Sequence, residues 1–550
     1  MNIIYQGRTK KIEKGLTVKE ALKKEINENK YEVIGCLYNN DYRNLETEVE
    51  EGARIELIDI SSKEGMKIYV RTIVYIMGKA FENLYNREKI MVEYQLGNAM
   101  YCKCDNIQIT DEFITKLKNE MQKIIEKDEK ITKVEMTRKE AEKFYEENNS
   151  SRGRLQFDLK GNKTIYMYYC GNYYNYCYGT LANRTGIIKI FDVIKYGDGF
   201  LIRYPSSKEP TKMPEFHETK KLAWALEEFE KIHSVLDVLT VYKLNKAIEE
   251  DRIKDVIMLA EALHEKKISN IADEITRRNR DGEGARIILI SGPSSSGKTT
   301  FSKRLAIQLM TNLIRPVTIS LDNYFVEREE TPLDENGEYD YESLYALDLE
   351  LFNNDINRLL KGEEIDLPTY NFETGKKIYR GNKLRLKESE VLILEGIHAL
   401  NPDLTPQIED KLKFKIYVSA LTSISIDDHN WVPTTDNRLL RRIIRDAKYR
   451  GSTAQSTIAR WPSVRRGEEK WIFPYQENAD AMFNSSLLFE LAVLKRRAMP
   501  ILNAVPRDCT EYGEANRLLK FLDFFLPLNE HEIPPTSLLR EFLGGSSFKY

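Results

Sequence analysis

Histidine is scarce in this chain. Six occur in 550 residues, and the first is His217. A site that depends on imidazole ligands therefore cannot be assembled from residues 1–216. Cysteine is equally sparse. Six are scattered along the chain, and only Cys102 and Cys104 sit close, at a poor spacing for zinc or a disulfide. Reduced thiols are the expectation. No apolar run reaches a membrane-spanning length, and the opening MNIIYQGRTKKIEKG has no apolar signal core. Excess charge is missing too. Lys and Arg number 83 against 86 Asp and Glu, so nothing pulls the whole chain toward nucleic acid or an anionic membrane. These absences predict a soluble, cytoplasmic protein with no membrane partner. What is present is length, enough for about three or four domains, and a 41% hydrophobic content that supports globular cores.

The most informative stretch is RIILISGPSSSGKTTFSKRLAIQLM, residues 286–310. An apolar run leads into a glycine-bounded loop, and Phe301, Leu305 and Leu309 then recur at helical spacing. The loop fits G-x-x-x-x-G-K-[ST] without a mismatch. Gly292 and Gly297 permit backbone angles that turn N–H groups toward a polyphosphate. Pro293, Ser294, Ser295 and Ser296 form the cradle between them, and the helix N-terminus beyond adds partial positive charge. Lys298 is placed for the β/γ-phosphates, Thr299 for Mg²⁺, and Thr300 completes the loop. The pattern predicts ATP binding.

Residues 1–62 read as strand, helix, strands, with Thr17 as N-cap of a helix over 17–26 and a last strand at 54–60. The order resembles the TGS domain at the start of threonyl-tRNA synthetases. KEGMKIYVRTIVYIMGKAFENLY and the helix–strand–helix stretch 111–147 resemble the second, editing-associated domain of the same enzymes, extending the likeness to residue 213. That family's metal site needs two histidines four apart on the first helix and a Cys followed four residues later by His. Here Arg71 and Tyr75 stand at the first pair, and Leu181 follows Cys177. The resemblance thus implies an α+β domain without the editing metal. The tyrosine-rich run 166–178 is expected to pack as a β-rich core rather than stack bases. Residues 214–282 predict a helical linker in which His233 and His264 are ordinary helix residues.

Downstream of the loop, PVTISLDNYF ends a strand at Asp322, and EVLILEGIHAL ends one at Glu395. Acidic residues at the carboxyl ends of parallel strands suit metal and proton work. DNRLLRRIIRDAKYRG gathers Arg438, Arg441, Arg442, Arg445, Lys448 and Arg450 on one helix. Taken in order, residues 285–500 resemble uridine–cytidine kinases and their phosphoribulokinase relatives. The resemblance implies a P-loop kinase domain over 283–550, an α/β fold with a parallel sheet flanked by helices. It makes Asp322 the general base for a nucleoside 5′-hydroxyl, Asp340 a ribose contact, and Tyr370 and Phe372 base contacts. Thr299 and Glu395 become the Mg²⁺ ligands. Arg441 and Arg442 fall to ATP, and Arg445 to the transferring phosphoryl group. Gly375 stands where that family has a base-reading histidine, so the acceptor base is left open. Two alternatives are kept: a kinase of another small alcohol, and an RNA-linked regulatory NTPase using the N-terminal half. The amphipathic tail, broken at Pro534 and Pro535, predicts two helices that pack on the kinase core or join copies of the chain into a homo-oligomer.

Overall fold

A computed structural model of the 550-residue chain describes all residues except 87, 149–163, 226–234, 236–237, 281–283, 336, 423 and 550. His233 and most of the turn expected at 281–284 lie outside the described residues.

The chain opens with a five-stranded sheet, ordered Arg8–Lys11, Asn2–Tyr5, Arg54–Asp59, Val33–Tyr38, Asp41–Arg43. Its helix starts where the sequence predicts. The Thr17 side chain and Glu20 form a reciprocal capping box, a device that stabilises a helix start by about 1 kcal/mol. The expected single helix is broken at Leu22 into Val18–Ala21 and Lys23–Glu28.

Helix Lys63–Tyr85 follows. Fifteen of its 23 residues are buried, so it forms a central strut rather than a surface helix. It packs on helix Asp111–Lys127 and against a four-stranded antiparallel sheet ordered Asp192–Tyr196, Gly199–Arg203, Ala99–Cys104, Ile90–Leu96. The helix–strand–helix order predicted for 111–147 is present as Asp111–Lys127, Thr132–Thr137 and Arg138–Asn148. The tyrosine-rich run builds the strands Thr164–Cys170 and Tyr173–Asn175. Tyr168 and Tyr173 are buried there, and Tyr75 donates to both their carbonyls. With Tyr75, Cys170 and Leu181 they form one buried cluster, and the half-buried Cys177 packs against it.

Helices Val241–Glu249 and Ile253–Arg280 lead to the last and largest unit. Its sheet has five strands, all parallel, ordered Arg315–Ser320, Glu390–Glu395, Ile287–Ser291, Lys413–Ser419, Ala481–Asn484. The unbroken apolar run 287–290 reflects burial on both faces. Ile287 and Leu289 enter one core, Ile288 and Ile290 the other. Burying each such side chain contributes about 1.5–3 kcal/mol. Helices Ile253–Arg280 and Lys298–Thr311 pack on one another beside the second core. A long hairpin, Glu364–Asn371 with Lys376–Arg385, forms a two-stranded sheet of its own among the described residues.

The tail forms helix Tyr512–Leu522 and, instead of a second long helix, the four-residue helix Arg540–Leu543. Among the described residues, no helix is long and apolar enough to cross a membrane.

Candidate active site

Hydrogen-bond register sets the site. Ile290, Glu395 and Ser320 pair across neighbouring strands. The glycine loop, Glu395 and Asp322 therefore leave the same edge of the sheet from adjacent strands, about 4.8 Å apart. This is the carboxyl edge, where ligands of open α/β sheets gather.

The loop's carbonyls are each held by a side chain. Lys298 Nζ donates to the Pro293 carbonyl at 3.2 Å, Arg438 to Ser294 at 3.1 Å and Arg441 to Ser295 at 3.4 Å, while Ser485 Oγ donates to the Ser296 carbonyl. These bonds fix the loop's backbone, and the Ser296 amide closes a turn within it on the Pro293 carbonyl at 3.2 Å. Gly297 is in the left-handed region, at φ +83°. At Gly292 a Cβ would stand 1.9 Å from the Val418 carbonyl oxygen, so only glycine fits against the neighbouring strand. Arg442 reaches the Ser294 hydroxyl at 2.8 Å.

Thr299 Oγ1 faces Glu395 Oε2 at 3.5 Å. Burial pushes the Glu395 carboxyl up to about 7, with Lys298 opposing the shift and Asp322 and Glu541 adding to it. Asp322 is exposed, two residues past the end of strand Arg315–Ser320. Surrounding protein still restricts its hydration enough to raise its carboxyl, against the pull of Lys298, Arg450 and Arg445. Asp322, Glu395, Lys298 and Arg445 thus share one electrostatic neighbourhood.

The basic helix Thr434–Tyr449 divides its arginines. Arg442, Arg445 and Arg450 converge on the buried Asp446, which they outnumber, leaving positive charge beside Asp322. Arg441 differs from expectation. It is fully buried, paired with Glu490 and bonded to Ser485 and to the Ser295 carbonyl, so its guanidinium is spent on bracing the loop within the protein.

On the acceptor side, Phe325, Tyr370 and Phe372 pack with ring centroids 5.1–6.0 Å apart, Tyr370 buried and Phe372 exposed. Asp340 Oδ1 accepts the Glu342 amide at 3.2 Å, fixing the turn that carries it. At Gly375, φ is +71° and Arg328 occupies the adjacent space: a Cβ there would meet the Arg328 Cβ at 2.7 Å.

The model for the phosphoribulokinase/uridine kinase family matches residues 287–488. A uridine kinase from Halobacterium salinarum is 30% identical over 193 residues, covering 35% of this chain and 76% of that enzyme. The chain belongs to the phosphoribulokinase/uridine kinase family. A uridine kinase from Halalkalibacterium halodurans is 29% identical over 224 residues, 40% of this chain and 96% of that one. A threonine–tRNA ligase from Caldanaerobacter subterraneus is 26% identical over 199 residues of the N-terminal part, 36% of this chain and 31% of the ligase. This family member is an ATP-dependent phosphotransferase with an alcohol acceptor.

Within it, sequence reasoning missed several groups around the loop. Glu468, fully buried, pairs with Arg438 and accepts the Ser294 amide at 3.2 Å. Burial pushes the Glu342 carboxyl up to about 7, against Arg442 and with Glu468. Burial holds His398 down near 4, a neutral ring set against Trp471. Helical spacing puts Arg438 and Arg441 on one face, but only the fold shows that the face meets buried acids.

Proposed function

We propose that the chain transfers the γ-phosphoryl group of Mg·ATP to the 5′-hydroxyl of a nucleoside, as a uridine kinase-like enzyme. The single observation that carries this reading is that Asp322, Glu395 and Lys298 stand together at one edge of the parallel sheet, within electrostatic reach of one another. Gly292 to Thr300 cradle the triphosphate, with Arg442 bonded to the loop. Asp322 accepts the hydroxyl proton of the acceptor. Such a base contributes about 10²–10⁴-fold. Its exposure gives an alcohol access to it. Arg445, restrained by Asp446, stabilises charge on the group in flight. Arg441 acts as a positioning residue for the loop.

Thr299 and Glu395 fit Mg²⁺. Both offer oxygen, they face one another beside Lys298, and a small hard cation needs only one or two protein ligands when phosphates complete its shell. Bound there, the ion neutralises charge on the β- and γ-phosphates. Asp340 binds the sugar hydroxyls, and Tyr370 and Phe372 with Phe325 flank the base.

Arg328 beside Gly375 favours a second reading, transfer to another small alcohol, because a guanidinium stands where a base-reading imidazole is expected. The domains are proposed as 1–62 TGS-like, 63–213 synthetase-like without metal chemistry, 214–282 linker and 283–550 kinase, in a cytoplasmic protein. Incubating the full chain with Mg·ATP and a panel of ribonucleosides, deoxyribonucleosides and sugar phosphates tests the acceptor. A nucleoside 5′-monophosphate detected by mass spectrometry is the expected product. Phosphorylation of sugar phosphates alone selects the second reading. ATP hydrolysis stimulated by tRNA, without a phosphorylated small product, contradicts both.

A further inference from the structure

We infer that Glu541, on the tail, is a built-in anion that occupies the phosphate cradle and must swing out before a nucleotide can bind. The inference rests on the nucleotide site proposed above. Thr300 is the third residue of helix Lys298–Thr311. Its amide is one of the donors that a helix start leaves without an internal partner, at the end that attracts anions. That amide donates to Glu541 Oε2 at 3.2 Å, and the Thr300 hydroxyl donates to the same oxygen at 2.7 Å. The two residues are 241 apart in sequence, so the contact is brought about by the fold of the tail and not by a local capping motif.

The tail that delivers this carboxylate is firmly seated. Leu538, Leu539, Phe542 and Leu543 are buried. Leu538 packs beside Gly297, and the Phe542 ring lies 5.1 Å from the Arg441 guanidinium. Lys448 donates to the Leu543 carbonyl, and Arg540 donates to the Glu530 carbonyl at 2.9 Å. The backbone therefore stays in place, and the movable part is the Glu541 side chain. A carboxylate and a phosphate cannot take the same two donors, and their charges repel. Apparent nucleotide affinity is then the intrinsic affinity multiplied by the fraction of chains in which the carboxylate is out. The contact also satisfies the amide and the hydroxyl at the start of the loop helix.

Calorimetric titration of the full chain with Mg·ADP and Mg·ATP tests this, using Glu541→Gln, Glu541→Asp and, as a reference, Lys298→Ala. Aspartate keeps the charge but is one methylene too short to hold both Thr300 contacts from the same seated backbone. Glu541→Gln and Glu541→Asp are each expected to bind about tenfold more tightly than the unaltered chain, equivalent to about 1.4 kcal/mol. Tightening by Gln with Asp unchanged would mean only a nearby charge and overturns the inference. So does unchanged affinity in both. If the unaltered chain and both Glu541 variants fail to bind, as Lys298→Ala is expected to, the nucleotide site itself falls and this inference with it.

Discussion

Two glutamates at the site hold protons at pH values where an exposed glutamate has lost them. Glu342 and Glu395 are both raised to about 7, chiefly by burial. A folded-state pKa above the unfolded value contributes stability that is complete below the ordinary 4.5 and is lost as pH rises through about 7. Ligand-free protein should therefore become less stable across that window. Glu342→Gln should flatten part of the decline, read as melting temperature against pH; an identical slope in the variant contradicts the assignment. None of this was legible in the sequence. EYDYES gives the acid, but its burial depends on helix Ala454–Trp471, where a Cβ at Gly467 would stand 2.2 Å from the Glu342 Cβ. Lys298, Thr299 and the glycines were legible because the whole device is local: one strand end, one loop, one helix start.

At the scale of the element, helix Thr434–Tyr449 does two jobs with one kind of residue. Arg438 and Arg441 point inward to Glu468 and Glu490, and hold the loop's carbonyls. Arg442, Arg445 and Arg450 surround Asp446 beside Asp322. Removing one partner of a buried ion pair costs about 3–5 kcal/mol, because the other charge is left stranded. Arg441→Met should lose about that much stability in chemical denaturation, and the pair Arg441→Met with Glu490→Leu should recover much of it. A single substitution with stability near that of the parent would show that the pair is not a brace. The basic helix itself was plain in the sequence. Its division of labour was not, since helical spacing shows which residues share a face but not what that face meets.

At the scale of the molecule, the two halves are joined where the basic helix begins. The short hairpin before it enters the N-terminal half: Asn175 bonds His429 at 2.9 Å, the Tyr178 amide donates to Asn430 at 2.7 Å, and the Val92 amide to the Asp428 carbonyl at 2.8 Å. Arg517 grips Asp436 at 2.6 and 2.8 Å and also binds Glu514. One apolar core contains Ile165, Met167 and Tyr176 together with Leu439, Leu440 and Leu518. Halves that share a core unfold together. Calorimetry should give one main transition, and Arg517→Met should lower it as a whole; two resolved transitions, with only one moved, would contradict this. The sequence showed the order of the parts, because each repeats a local pattern of strands and helices. Their joint was invisible, since it is made of pairs hundreds of residues apart.

The most direct test of the phosphoryl-transfer reading is one substitution with two readouts. Asp322→Asn should lower turnover by about 10²–10⁴-fold while Mg·ATP affinity, measured on the same preparation, stays near that of the unaltered chain. Turnover close to the parent, or loss of ATP binding in step with turnover, would contradict the placement of the proton acceptor at the end of strand Arg315–Ser320.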